Sequence, residues 1–152
     1  MAVNTATIAA PPEIVFSVLA DPASYAAFVV GTRTIRRFDP RFPEPGSELH
    51  HTLGVGPVPV IWDLSRVEEV AEGRRLVLRA QMRPLAVNRV AFSLRPAGGG
   101  TDVEVEEYPI GGPAALLWNP AFEALMGLRN AEMLRRLSRL AERRAALAAG
   151  AP

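Results

Sequence analysis

Between residues 46 and 109, apolar and polar residues alternate in successive short stretches, and this pattern restricts the fold more than any other feature of the chain. Turn-forming segments that contain Gly or Pro separate the stretches, and three consecutive glycines, 98–100, mark the last turn. Neighbouring side chains on a strand point to opposite faces, so the alternation predicts an antiparallel sheet with one apolar face. The predicted strands are 46–53, 58–70, 75–82, 87–95 and 101–109.

The segment before this meander predicts one more strand on each side of two short helices. Residues 3–9 alternate, and Pro11 and Pro12 follow, where prolines suit the first turn of a helix. Asp21-Pro22 can cap a second short helix that carries Tyr25 and Phe28. Gly31 then breaks the chain before a strand over 32–39.

The segment after the meander predicts one long helix. Asn119-Pro120 has the residues of a helix cap and first turn, and an apolar stripe continues to about residue 148. At 1.5 Å per residue, such a helix is on the order of 40 Å long, enough to cross a curved sheet. We therefore expect an α+β fold in which about seven strands wrap around the C-terminal helix.

Length and composition limit the classes of protein to which the chain can belong. Its 152 residues, 49% hydrophobic and 22% charged, predict a single globular domain over 1–148 with a frayed tail at 149–152. A net charge of +1 gives no electrostatic reason to expect a nucleic-acid partner, and the absence of Cys excludes disulfides and thiolate metal sites. No apolar run approaches a membrane span and no signal-peptide pattern opens the sequence, so a cytoplasmic location is expected.

Three segments carry a resemblance to a known family: ATIAAPPEIVFSVLADPASYAAFV, GGGTDVEVEEYPIGGP and LRNAEMLRRLSRLAE. They resemble the START-related, Bet v 1-like superfamily (SRPBCC), and within it the polyketide cyclase/dehydrase-like branch, over nearly the whole chain. The resemblance implies a helix-grip fold with a cavity between the sheet and the long helix. It also implies that the cavity holds a small hydrophobic or aromatic, polyketide-like molecule. It implies no shared catalytic residue.

The two histidines, His50 and His51, are adjacent on a predicted strand and therefore point to opposite faces. His51 shares its face with Leu49 and Leu53, so it is expected to face the cavity, whereas His50 faces water. An imidazole titrates near neutral pH, which makes His51 a candidate general acid/base. The alternative is a buried histidine whose ring is satisfied by a neighbouring polar group.

Two further ionisable residues are candidates for the same site. Glu107 continues the inward row of Val103 and Val105, and Arg129 lies on the apolar stripe of the long helix. In a cyclase or dehydratase, Glu107 would orient groups and Arg129 would stabilise negative charge. The alternative is a partly buried structural ion pair.

Position on strands and helices also predicts the side chains that contact the ligand. We place Tyr25 and Phe28 at the cavity mouth, and Trp62 inward with Leu64, which turns Asp63 outward. The alternative for Asn88 is that it simply ends a strand after the turn at Pro84, and five others could be ordinary core: Trp62, Trp118, Phe122, Met126 and Met133. The full set is Tyr25, Phe28, Trp62, Leu78, Met82, Asn88, Phe92, Val105, Trp118, Phe122, Met126 and Met133.

Three functions remain open at this point. The first is binding of a small hydrophobic molecule, with or without acid–base catalysis of its cyclisation or dehydration. The second is a lipid or quinone carrier without catalysis, and the third is a protein-interaction module that uses the Arg-rich C-terminal helix. No motif for a cofactor or a metal is present in the sequence, and we expect a monomer or a homodimer.

Overall fold

The computed structural model describes residues 1–54, 61–82 and 84–150, and for Ile61 and Trp62 the backbone alone. These residues contain the strands β1 (Ala2–Ile8), β2 (Thr32–Phe38), β3 (Glu48–Leu53), β4 (Ile61–Ala71), β5 (Arg75–Met82), β6 (Ala86–Ala97) and β7 (Gly100–Gly111). All pairs are antiparallel, and the strands form one curved sheet in the order β1-β7-β6-β5-β4-β3-β2. The chain therefore makes a meander whose first strand returns to pair with the last.

Within the described residues, three helices accompany the sheet: α1 (Pro12–Leu19), α2 (Tyr25–Phe28) and α3 (Pro120–Ala148). A 3-10 turn at Pro22–Ser24 precedes α2, and a second at Pro113–Leu117 precedes α3. The Asn119 side-chain oxygen accepts the Phe122 N–H at 2.9 Å, which caps α3 as the sequence predicts. The element order and the long C-terminal helix confirm the predicted helix-grip fold.

The hydrophobic core lies between the concave face of the sheet, α1 and the C-terminal half of α3. On α3, Leu134, Leu137 and Ala141 are buried in one cluster with Val15 and Leu19 of α1. In the N-terminal half of α3, Met126 and Arg129 border an open space rather than packed side chains. The helix is therefore packed solidly at one end and stands over a cavity at the other.

Strand β4 presents the opposite face from the one that the sequence predicts. Asp63, Ser65 and Val67 are buried on the concave side, and the prediction that Asp63 points outward is wrong. The register pairs Asp63 directly with His51, and residues paired across two strands share a face. A register shift between Val67 and Glu69 then changes the phase of the strand. The predicted ligand contact of Trp62 lies outside the described side chains.

Among the helices in the described ranges, none has both the length and the apolar character that crossing a lipid bilayer requires.

Candidate ligand-binding cavity

A cavity of about 270 Å³ lies between the concave face of the sheet and the N-terminal half of α3. Its wall is mostly hydrocarbon, with one band of polar side chains. That combination, an apolar pocket with a few converging polar groups, is typical of small-molecule binding sites. The polar band consists of His51, Asp63, Ser65, Asn88, Glu107 and Arg129.

The structure brings ten of the sequence-predicted site residues to this cavity wall. They include all three candidate ionisable residues, which come from β3, β7 and α3. The ten are His51, Glu107, Arg129, Tyr25, Leu78, Met82, Asn88, Phe92, Met126 and Met133.

Phe28 and Val105 are predicted ligand contacts that do not line the cavity. Phe28 is completely buried, and its ring packs on that of the wall residue Tyr25 with ring centroids 4.7 Å apart. Val105 faces inward but is buried in the main hydrophobic cluster. Its neighbour on the same row, Glu107, is the residue of β7 that reaches the cavity.

Trp118 and Phe122 also lie outside the cavity wall. Their rings pack edge to face with centroids 5.1 Å apart, Trp118 just before α3 and Phe122 in its first turn. Because the helix starts beyond the cavity, its first residue in the wall is Met126, one turn after Phe122.

Tyr25 contributes its ring, and its hydroxyl has a structural role. The hydroxyl donates to the backbone carbonyl of Leu19 at 2.7 Å. Burial raises the pKa of the Tyr25 phenol far above its ordinary value, so this group stays protonated. Tyr25 is therefore a wall residue that does not exchange protons.

Both ring nitrogens of His51 have polar neighbours. Nδ1 lies 3.3 Å from Thr32 Oγ1, and Nε2 lies 3.3 Å from Ser65 Oγ and 3.5 Å from Asp63 Oδ2. Burial is the main reason that the pKa of His51 falls to about 4, and the positive charges of Arg36 and Arg129 contribute. The ring is therefore neutral at pH 7 and partly satisfied by its strand neighbours.

Asp63 is the site residue that the sequence analysis missed. Its side chain is 5% exposed, and Oδ1 accepts the backbone N–H of Leu64 at 2.7 Å. Burial raises the pKa of Asp63 to about 6, although backbone N–H groups and Arg129 act in the opposite direction. The pattern within this strand gives no signal for Asp63, whose inward position follows from the register that pairs it with His51.

Glu107, Asn88 and Arg129 form the other half of the polar band. Asn88 Nδ2 donates to Glu107 Oε1 at 2.9 Å, and Arg129 Nη1 lies 3.5 Å from Glu107 Oε2. The Arg129 side chain is 30% exposed, whereas that of Glu107 is 5% exposed. The Arg129 guanidinium thus lies on the solvent side of the buried Glu107 carboxylate. Its Nη1 also lies 3.4 Å from the Asn130 side-chain oxygen.

The two halves of the polar band are close enough for their charges to interact. Arg129 lowers the pKa of both His51 and Asp63, and Glu107 raises that of Asp63. The band could move protons to or from a bound molecule and stabilise a developing oxyanion. In the ranges that the structure describes, no group of three or more ligating side chains is arranged to hold a metal ion.

Several arginines of the C-terminal helix are paired within the chain. Arg135 and Arg136 both contact Glu132, and Arg144 reaches Asp21 at 3.2 Å. This helix face therefore carries mixed charge rather than a continuous basic patch.

One family model and several solved structures match the chain. The model of a family described as "Polyketide cyclase / dehydrase and lipid transport" matches residues 2–142. No curated protein sequence matches the chain.

Solved structures with the same fold were found at low sequence identity. Protein CV1439 from Chromobacterium violaceum superposes with a TM-score of 0.72 at 20% identity, covering 92% of this chain and 95% of that one. The protein Ara h 8.0201 superposes with a TM-score of 0.71 at 12% identity, covering 91% of this chain and 95% of that one. The di-domain ARO/CYC StfQ of the steffimycin biosynthetic pathway superposes with a TM-score of 0.74 at 13% identity. The match covers 95% of this chain and 51% of StfQ, so this chain spans about half the length of StfQ. At such identities the likeness shows a shared fold.

Proposed function

Because the chain belongs to the polyketide cyclase / dehydrase and lipid transport family, we propose that it binds a small, largely apolar molecule in the cavity under α3. The observation that carries the proposal is a hydrocarbon-lined space crossed by a single polar band. Such a wall favours an apolar ligand whose few polar atoms meet the band. The same cavity would serve a lipid or quinone carrier.

The size of the cavity sets the size of the ligand. A volume of about 270 Å³ lies near the lower end of the roughly 300–1,000 Å³ of small-molecule sites, so the space suits a small molecule of one or two rings. A long acyl chain or a large polycyclic molecule would need the cavity to widen.

Acid–base catalysis is the second candidate function, and the polar band favours it. In a cyclisation or dehydration, His51 would act as the general acid/base, an effect typically of about 10²–10⁴-fold. Glu107 would orient the substrate and Arg129 would stabilise an enolate oxygen. StfQ, named as a di-domain ARO/CYC protein of a biosynthetic pathway, adds support from a protein of the same fold.

A cavity-filling variant tests the binding proposal. Ala80 lines the cavity, so Ala80→Phe should occupy it with the added ring, whereas Ala146→Phe on the exposed end of α3 is the matched control. Native mass spectrometry should find a small molecule that co-purifies with the wild type and with the control and is lost from Ala80→Phe. In parallel, fluorescence titration should show that naphthylmethanol binds to the wild type and to Ala146→Phe but not to Ala80→Phe.

The same variants separate the remaining functions. Retained probe binding in Ala80→Phe would contradict the cavity as the binding site. A reaction of the co-purified molecule that stops in His51→Ala, with its binding unchanged, would support catalysis, and equal loss of both would favour a carrier. An interaction module would instead bind its partner normally in Ala80→Phe and lose it steeply with added salt.

A further inference from the structure

Asp63 is a buried carboxylate with unused acceptor capacity at the cavity wall. Its Oδ1 accepts the Leu64 N–H at 2.7 Å, the carboxylate also accepts the Gln81 backbone N–H, and its Oδ2 lies 3.5 Å from His51 Nε2. An ionised carboxylate has about four lone-pair positions, so these contacts leave room for another donor. The side chain lines the cavity, which is the space from which such a donor would come.

The cavity wall holds more negative than positive ionisable groups. Among its described residues, Asp63 and Glu107 carry carboxylates, and Arg129 carries the one guanidinium. Arg129 is already engaged, 3.5 Å from Glu107 Oε2 and 3.4 Å from Asn130 Oδ1. His51 is held neutral by burial at pH 7, so it supplies no counter-charge to Asp63.

Arg129, the one guanidinium of the described wall, is shared between Asp63 and Glu107, so an ionised Asp63 is costly to bury and a bound molecule can reduce that cost. A hydroxyl would donate a hydrogen bond to the carboxylate, and an ammonium would donate one and also neutralise the charge. A carboxylate on the ligand would bring a third negative charge beside Asp63 and Glu107, which like-charge repulsion disfavours.

We infer that Asp63 anchors the ligand through a hydrogen-bond donor, a hydroxyl or an ammonium, and that the cavity rejects molecules that present a carboxylate. This inference rests on the proposed binding function and names the chemistry of its ligand. It favours phenols, alcohols, amines and quinols over free fatty acids. A quinone presents acceptors alone and gives Asp63 nothing to accept, so the reduced form is the better ligand.

Three fluorescent probes with the same ring test the inference: naphthylmethanol, naphthylmethylamine and naphthoate, substituted at one position. They are titrated at about pH 7.5 into the full-length wild type, Asp63→Asn and Asp102→Asn. Asp102 is an exposed aspartate on the outer face of β7, so its variant removes the same charge away from the cavity.

The wild type should bind the alcohol and the amine at least about tenfold more tightly than naphthoate, because like-charge juxtaposition disfavours the carboxylate strongly. Asp63→Asn should bring naphthoate to within about threefold of the alcohol, since the nearest repelling charge is gone. Asp102→Asn should behave as the wild type. Circular dichroism verifies that each variant is folded.

Equal affinity of the wild type for naphthoate and the alcohol would overturn the inference, as would discrimination that persists in Asp63→Asn. Either outcome leaves binding in the cavity intact. Failure of the wild type to bind any of the three probes would instead refute the proposed function.

Discussion

Replacing Asp63 by Asn removes one buried charge from the cavity wall and leaves a side chain of nearly the same shape. The Asn side-chain oxygen can still accept the Leu64 N–H, which Asp63 accepts at 2.7 Å. We expect Asp63→Asn to be more stable than the wild type near neutral pH. The physical reason is that the wild-type protein holds an ionised carboxylate in a site that is 5% exposed.

The pKa of Asp63 gives the magnitude. Burial raises it from 3.8 to about 6, so the native state binds this proton more tightly than the unfolded state does. Stability that is present below pH 3.8 is therefore lost as the pH rises to 6, and the loss amounts to about 3 kcal/mol once the group is ionised. Asn never ionises, so the variant should regain about 2–3 kcal/mol at neutral pH and nothing in strong acid.

His51 acts in the opposite direction and must be separated from this effect. Its pKa falls from 6.5 in the unfolded chain to about 4 in the native state, so acidification through this range destabilises the protein. This contribution is common to the wild type and the variant. The difference between the two proteins therefore isolates Asp63, provided that the neutral His51 ring keeps its contacts.

Urea unfolding followed by circular dichroism measures the difference at about pH 7.5 and about pH 4. At about pH 7.5 the variant should have the higher urea midpoint, and in thermal unfolding its melting temperature should be roughly 5–10 °C higher for a chain of this length. At about pH 4 this advantage should be nearly lost. Asp102→Asn serves as the surface control. A variant no more stable than the wild type at neutral pH, or an advantage independent of pH, would refute the reasoning.

Three further experiments test other parts of the structure. Arg129→Met should destabilise the protein by about 2–4 kcal/mol, because it leaves Glu107 buried without its cation, and Glu107→Gln in the same chain should restore most of the loss in a urea double-mutant cycle. A double variant that is no more stable than Arg129→Met alone would contradict the ion pair. Leu137→Ala, at a fully buried position of α3, should cost about 3–5 kcal/mol in thermal unfolding. Asn119→Ala removes the α3 cap and should cost about 1 kcal/mol, whereas Asn119→Ser should retain most of that stability.

The selectivity of the cavity and the stability of the protein are linked through the same carboxylate. A donor that binds Asp63 would stabilise the native state, and the gain should be larger for the wild type than for Asp63→Asn. A site that destabilises its own fold in the absence of a ligand is common where function requires a buried charge. The destabilisation of the fold by ionised Asp63 therefore favours a ligand that donates a hydrogen bond to this carboxylate.

The sequence alone determined the elements and their order. Strand and helix periodicities, the prolines before α1 and the Asn119 cap depend on local backbone geometry, which nearby residues fix. Alternation within β3 likewise determined that His51 and His50 point to opposite faces. These features need no knowledge of distant contacts.

The tertiary structure decided which faces and helix turns border the cavity. The polar residues of β4 face inward because the strand pairs Asp63 with His51, and hydrophobicity within β4 favours the opposite phase. The position of α3 over the sheet decided that Met126 lines the cavity and Phe122 does not. Strand register and helix placement are set by the packing of the whole core, so residues far apart in the chain determine where the polar groups meet.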